Sequence, residues 1–93
     1  GSISIDEGAK NALLMGKSLL PAGVTKINNT FQRGDPVKVL DQKGTTIAKG
    51  LIAYSSKDAK LICGCQSKEI PNILGYSGRD EMIHRDDLAI IMN

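Results

Sequence analysis

Turn-forming residues punctuate this chain so often that no regular element has room to grow long. Gly16, Pro21, Gly23, Asn28-Asn29, Gly34, Pro36, Gly44, Gly64, Gly75 and Gly78 fall between short apolar stretches. Glycine and proline are the strongest local breakers of helix and strand. The longest stretch that reads as one regular element is Thr45–Tyr54, and even it carries Gly50 inside it. A chain cut this way is confined to short strands and helical turns packed around one core.

Length sets the size of that core. The 93 residues make one domain, 1–93, since a domain takes roughly 100–200 residues. The longest apolar run, Leu88–Met92, is five residues, whereas a membrane-spanning helix needs about 20. No signal-peptide pattern is read at the start, and a cytoplasmic location is expected.

Within these limits the segments read in order. Ser2–Ile5 alternates as a strand does. Asp6 is placed as an N-cap, and Ala9, Ala12, Leu13 and Gly16 set a helical stripe over Glu7–Met15, with Gly16 closing the helix. Ser18–Gly23 is a shaped loop. Val24–Ile27 and Val37–Leu40 are strands, and Asp41–Gly44 turns the second into a long strand, Thr45–Tyr54, to make a hairpin. Gly50 predicts a bulge or sharp bend there. Ser55-Ser56-Lys57-Asp58 caps a short helix holding Ala59, Ile62 and Cys63. A second short helix starts near Ser67 and contains Ile70, Ile73 and Leu74, with Pro71 awkward unless it falls in the first turn. Met82–His84 is extended, Arg85–Asp87 turns, and Leu88–Met92 is a buried final strand. About six short strands with two or three short helices predict an α+β, mainly β, small barrel-like domain.

Most chemical motifs fail on inspection. His84-Arg85-Asp86 lacks the Asn that a kinase catalytic loop needs five residues on, where Ile91 stands. Gly16-Lys17-Ser18 has Asn11 in place of the first glycine of a phosphate loop, and it closes a helix where such a loop opens one. Cys63-Gly64-Cys65 and the single His84 do not make up a zinc ligand set, so no metal site and no catalytic residue are assigned. Two reduced thiols are expected. Asp80, Glu81, Asp86 and Asp87 read as local surface salt bridges with Arg79 and Arg85.

One segment stands out. The connection from Gly16 through Lys17, Ser18, Pro21, Ala22 and Gly23 offers backbone N–H groups flanked by Lys10, Lys17 and Lys26, an arrangement able to hold phosphates. The competing reading is a rigid connection whose Leu19 and Leu20 plug the core. Charge gives the first reading modest support. Residues 1–60 carry nine Lys/Arg against five Asp/Glu, and residues 61–93 carry three against five, for a formal net charge of +2.

The order of motifs adds a resemblance. Asp6-Glu7-Gly8-Ala9 followed by Ser18-Leu19-Leu20-Pro21-Ala22-Gly23-Val24 resembles the start of a PUA domain. Phe31-Gln32-Arg33-Gly34-Asp35-Pro36-Val37, Ile47–Leu51, Ile73–Tyr76 and Glu81–Leu88 are similar to the C-terminal PUA domains of bacterial glutamate 5-kinases. Cys63-Gly64-Cys65 and Pro71 depart from the basic and helical residues commoner there. The resemblance implies a pseudo-barrel of short strands and a fragment of a larger enzyme. The kinase domain of that polypeptide, absent here, would hold ATP, Mg and glutamate for the first step of proline synthesis; no cofactor is implied for this domain. Its implied partners are that kinase domain, further copies of the full-length enzyme, and structured RNA. The RNA surface implied is Lys10, Gly16, Lys17, Ser18, Pro21, Ala22, Gly23 and Lys26. The small charge and three aromatics favour an accessory, regulatory module over an RNA reader.

Overall fold

The computed structural model describes residues 1–91. One five-stranded sheet is built from β1 (Ser2–Ile5), β2 (Val24–Asn28), β3 (Pro36–Leu40), β4 (Thr46–Leu51) and β5 (Leu88–Ile90), in the order β2-β1-β3-β4-β5. The pair β1–β3 is parallel, and every other neighbouring pair is antiparallel. The helices are α1 (Glu7–Leu14), α2 (Ser56–Ile62) and α3 (Ile70–Leu74), with single 3-10 turns at Pro21–Gly23, Ser67–Glu69 and Arg85–Asp87. The fold is α+β and mainly β, as expected. In place of a sixth strand, Ile83 makes an isolated antiparallel bridge to Leu19.

Alternation explains which face is buried. Ile3 and Ile5 of β1, Val37 and Val39 of β3, and Ala48 of β4 point into the core with Leu13, Ala59, Ile62 and Ile70 from the helices; Ile47, at the register slip, is buried as well. The opposite sheet face carries Ser2, Ser4, Lys38 and Lys49. This one-sided pattern is what an antiparallel-rich sheet needs in order to leave one face wet.

Local chemistry sets the boundaries. The Asp6 carboxylate accepts the Ala9 N–H at 2.8 Å and starts α1. Gly16, at φ +82°, ends it: Gly16 N–H donates to Leu13 O and Lys17 N–H to Ala12 O, the paired bonds of a Schellman cap. Ser55 Oγ caps α2 by accepting the Asp58 N–H at 3.3 Å. Pro71 is accommodated because it lies at the start of α3, where no intrahelical donor is required of it.

Three expectations need correction. The strand read as Thr45–Tyr54 ends at Leu51, because Ile52 N–H turns to Asp35 O and Ala53 N–H to Met82 O. Gly50 makes no bulge; it pairs regularly with Val37 and Leu88, and the register slips at Val39/Leu40 instead. Its missing side chain serves close approach, since a Cβ there would sit 2.8 Å from both Asp87 O and Ile83 Cγ2. The last strand is not buried: Leu88 is partly covered, while Ile90 is 44% exposed on an open sheet edge. Met92, part of that expectation, lies outside the described residues.

Candidate functional site

The Ser18–Gly23 connection is fixed at both ends. Asp6 N–H donates to Gly23 O at 3.0 Å, tying the start of α1 to the end of the loop. In the middle, Leu19 N–H donates to Ile83 O at 2.9 Å and Leu19 O accepts Met82 N–H at 2.7 Å. Pro21 O accepts Gly64 N–H at 2.8 Å from the end of α2, and Ser18 Oγ accepts Arg85 N–H at 2.8 Å. The connection is therefore held by partners from three separate segments, at Asp6, Gly64 and Met82–Arg85. Gly23 is required by contact: a Cβ there would stand 2.5 Å from Ala9 Cβ.

Between α1 and this loop lies a groove of about 400 Å³. Its walls are Gly8, Ala9 and Ala12 from α1 facing Leu20, Ala22 and Gly23 from the loop. Asp6, Lys17 and Ser18 line it as well, so its charges are one carboxylate and one ammonium. The N–H groups of Ser18, Leu20 and Ala22 have no protein acceptor among the described residues. Leu20 is 48% exposed, and Leu14 and Met15 at the C-terminal end of α1 are exposed too. Exposed apolar side chains beside a concave apolar wall characterise interaction surfaces.

The residues picked from the sequence divide into two groups. Lys17, Ser18, Ala22 and Gly23 come together on the groove. Gly16 is exposed at the turn leading into it, and Pro21 is buried beneath. Lys10 does not line the groove; its ammonium pairs with Asp41 at 3.4 Å. Lys26 is exposed on β2, opposite Ser4, and also lies outside the lining. The plug reading was half right, since Leu19 is buried and Leu20 is not. Sequence reasoning missed Asp6, Gly8, Ala9, Ala12 and Leu20 as lining residues. The small side chains Gly8, Ala9 and Ala12, so close in sequence, were the available signal for a helix face opposed to backbone.

Elsewhere, Cys63 and Cys65 are free thiols at the end of α2, with Cys63 packed against the core. The salt bridges expected for Arg79 and Arg85 do not form: among the described residues the pair between formal charges is Lys10–Asp41, while His84 Nδ1 accepts the Asp86 N–H at 3.1 Å. No helix among the described residues is long and apolar enough to cross a membrane.

Comparison with known proteins places this geometry. The PUA domain family model matches residues 1–74. The glutamate 5-kinase of Paracoccus denitrificans is 57% identical over 97% of the chain, and that of Sinorhizobium fredii 53% over the same share. The chain spans only about a quarter of their length, 24% and 23%. Among solved structures, a PUA domain from Aeropyrum pernix K1, crystallised as a tartrate complex, is similar at a TM-score of 0.66 and 24% identity, covering 90% of this chain and 41% of that one. A chain of an archaeal box H/ACA sRNP is similar at 0.59 and 21% identity, covering 97% of this chain and 23% of that one. The sheet order, the capped α1 and the fixed loop after it therefore have a family to which they belong: this chain is a member of the PUA domain family.

Proposed function

We propose that this chain is the non-catalytic accessory module of a glutamate 5-kinase and acts through protein contacts made at the groove between α1 and the Ser18–Gly23 loop. The observation that carries the reading is the 57% identity to a glutamate 5-kinase across 97% of the chain, of which the chain is 24%. In this reading the remaining part of the polypeptide binds ATP, Mg and glutamate and transfers the γ-phosphate to the side-chain carboxylate. The module tunes assembly, metal dependence or the response to end product. The groove suits a protein partner because its walls are apolar, its two charges cancel, and Leu20 on its wall is half exposed.

The test is removal of this region from the Paracoccus denitrificans enzyme, with Leu20→Asp at the matching position as a finer probe. Phosphoryl transfer should persist, while subunit assembly by light scattering or inhibition by end product shifts. If assembly, metal dependence and inhibition all stay unchanged, the reading is wrong. Complete loss of chemistry in a folded kinase domain would equally sink it.

A second reading, recognition of structured RNA, is favoured by one feature: Lys17 beside the unpaired N–H groups of Ser18, Leu20 and Ala22. The Asp6 carboxylate on the same groove opposes it. If RNA phosphates bind here, Lys17→Glu weakens binding and lowers the salt slope by about one. An unchanged slope removes Lys17 from the role.

A further inference from the structure

Away from the groove, two arginines from distant parts of the chain line one cleft. Arg33 lies in the loop before β3 and Arg79 in the loop after α3. Both line a cleft of about 440 Å³ with Tyr54, Ser55, Tyr76 and Ser77. Both also line an adjoining cavity of about 200 Å³ that reaches His84. Neither guanidinium has an ion-pair partner or a side-chain hydrogen bond among the described residues, although Asp58 and Asp87 also line the cavities. Asp58 accepts the hydroxyl of Tyr76, itself on the cleft, at 2.7 Å on Oδ2.

The backbones carrying these arginines are pinned. The buried Tyr54 donates its hydroxyl to Arg79 O, and Gly78 lies so close over the Tyr54 ring that a Cβ there would collide with its hydroxyl. On the other side, Gly34 N–H donates to Ile52 O at 2.8 Å and Gln32 N–H to the Asp35 carboxylate at 2.8 Å, closing the turn that presents Arg33. A guanidinium offers five donors in a planar fork matched to carboxylate and phosphate. Two unpaired forks on loops whose backbone is already fixed line one cleft, so binding has only their side chains left to order.

We infer that the Arg33–Arg79 cleft binds a small oxyanion, phosphate or carboxylate, held by the two guanidinium groups. The site is separate from the α1 groove and independent of any role assigned to it.

The test is an amide-resolved NMR titration of the 93-residue chain with sodium phosphate and, separately, sodium succinate, each against sodium chloride at matched ionic strength. The expected result is saturating shifts at Ala53, Ser77, Gly78 and Arg79 with at least one of the two anions. Saturation by phosphate alone, or by succinate alone, identifies which oxyanion the cleft takes. Arg33→Gln and Arg79→Gln should each weaken binding at least about tenfold, since each removes charge-assisted bonds. Arg33→Lys should recover only part, because a point charge lacks the fork. Both arginines are exposed, so these variants should keep the parent spectrum elsewhere. Shifts that rise linearly and equal those with chloride overturn the proposal, as does saturation indifferent to both Gln variants.

Discussion

Gly23→Ala is the sharpest probe of how the groove is built. The new Cβ would stand 2.5 Å from Ala9 Cβ, and the next contact is Ala9 Cα at 3.6 Å. Ala9 has no rotamer to move, so relief requires α1 to shift away from the loop. Overpacking of this kind costs about 1–3 kcal/mol. Removing a glycine returns about 0.4–1 kcal/mol by restricting the unfolded chain where the backbone is compatible, and the Gly23 φ is not in the left-handed region. A net loss of about 1–2 kcal/mol follows. For a domain of this size that is a fall in Tm of several degrees, at about 4–8 °C per kcal/mol. Ala9→Gly alone should cost about 1 kcal/mol through helix propensity. In the double variant the clash is gone, while the bond from Asp6 N–H to Gly23 O, at 3.0 Å, can stay. Denaturant unfolding of the four proteins should therefore show the double variant at least as stable as Gly23→Ala, with a coupling well beyond the roughly 0.3–0.5 kcal/mol scatter of independent sites. Additivity within that scatter would refute the claim that α1 and the loop touch at this point.

The remaining predictions concern other contacts. Gly50→Ala should destabilise by about 1–3 kcal/mol, because its Cβ would meet Asp87 O and Ile83 Cγ2 at 2.8 Å each; hydrogen exchange should locate the loss at β5. Asp41 accepts N–H bonds from Thr45 at 3.0 Å and Lys43 at 2.9 Å, and the Thr45 bond foremost holds its pKa below the ordinary value of 3.8. A lowered folded-state pKa stabilises above the unfolded pKa, and that stability is lost as pH falls through the folded one. Asp41→Asn should therefore flatten the acid limb of a stability–pH profile below about pH 4, and an acid limb of the same steepness would contradict it. Tyr76 should ionise at about 12, chiefly because its hydroxyl donates to Asp58; in Asp58→Asn an ultraviolet titration should find it back toward the ordinary tyrosine value of about 10.

Much of the fold was legible because its signals are local. Asp6, Gly16 and Ser55 cap helices through atoms within a few residues, and the Asp41–Thr45 turn closes a hairpin between two runs of alternating residues. Reading failed where a distant partner decides. The strand after Thr46 stops at Leu51 because Asp35 and Met82 take the next two N–H groups, and nothing between Leu51 and Tyr54 announces this. Apolar residues in Leu88–Ile90 looked like core, yet the strand pairs only with β4 and its outer edge is open. Gly50 suggested an irregular backbone, whereas the constraint comes from Asp87 and Ile83 pressed against it.

The same distinction separates the two surfaces. The α1 groove could be found from the sequence because one helix and the loop directly after it supply all of its lining. Lys10 and Lys26 flank that loop in sequence but lie off the groove lining: the helix turns Lys10 to Asp41 and the strand carries Lys26 onto the sheet. Arg33 and Arg79 pose the reverse case. Arg33 looked like part of a turn, and Arg79 looked like the partner of nearby acids. Asp80 stands beside Arg79 in sequence without pairing to it, and the Tyr54 hydroxyl holds the Arg79 carbonyl. The Ala53–Tyr54 segment lines the same cleft as both arginines. A cleft assembled from separate segments leaves no spacing to read, so its charge complement becomes visible only after the chain has folded.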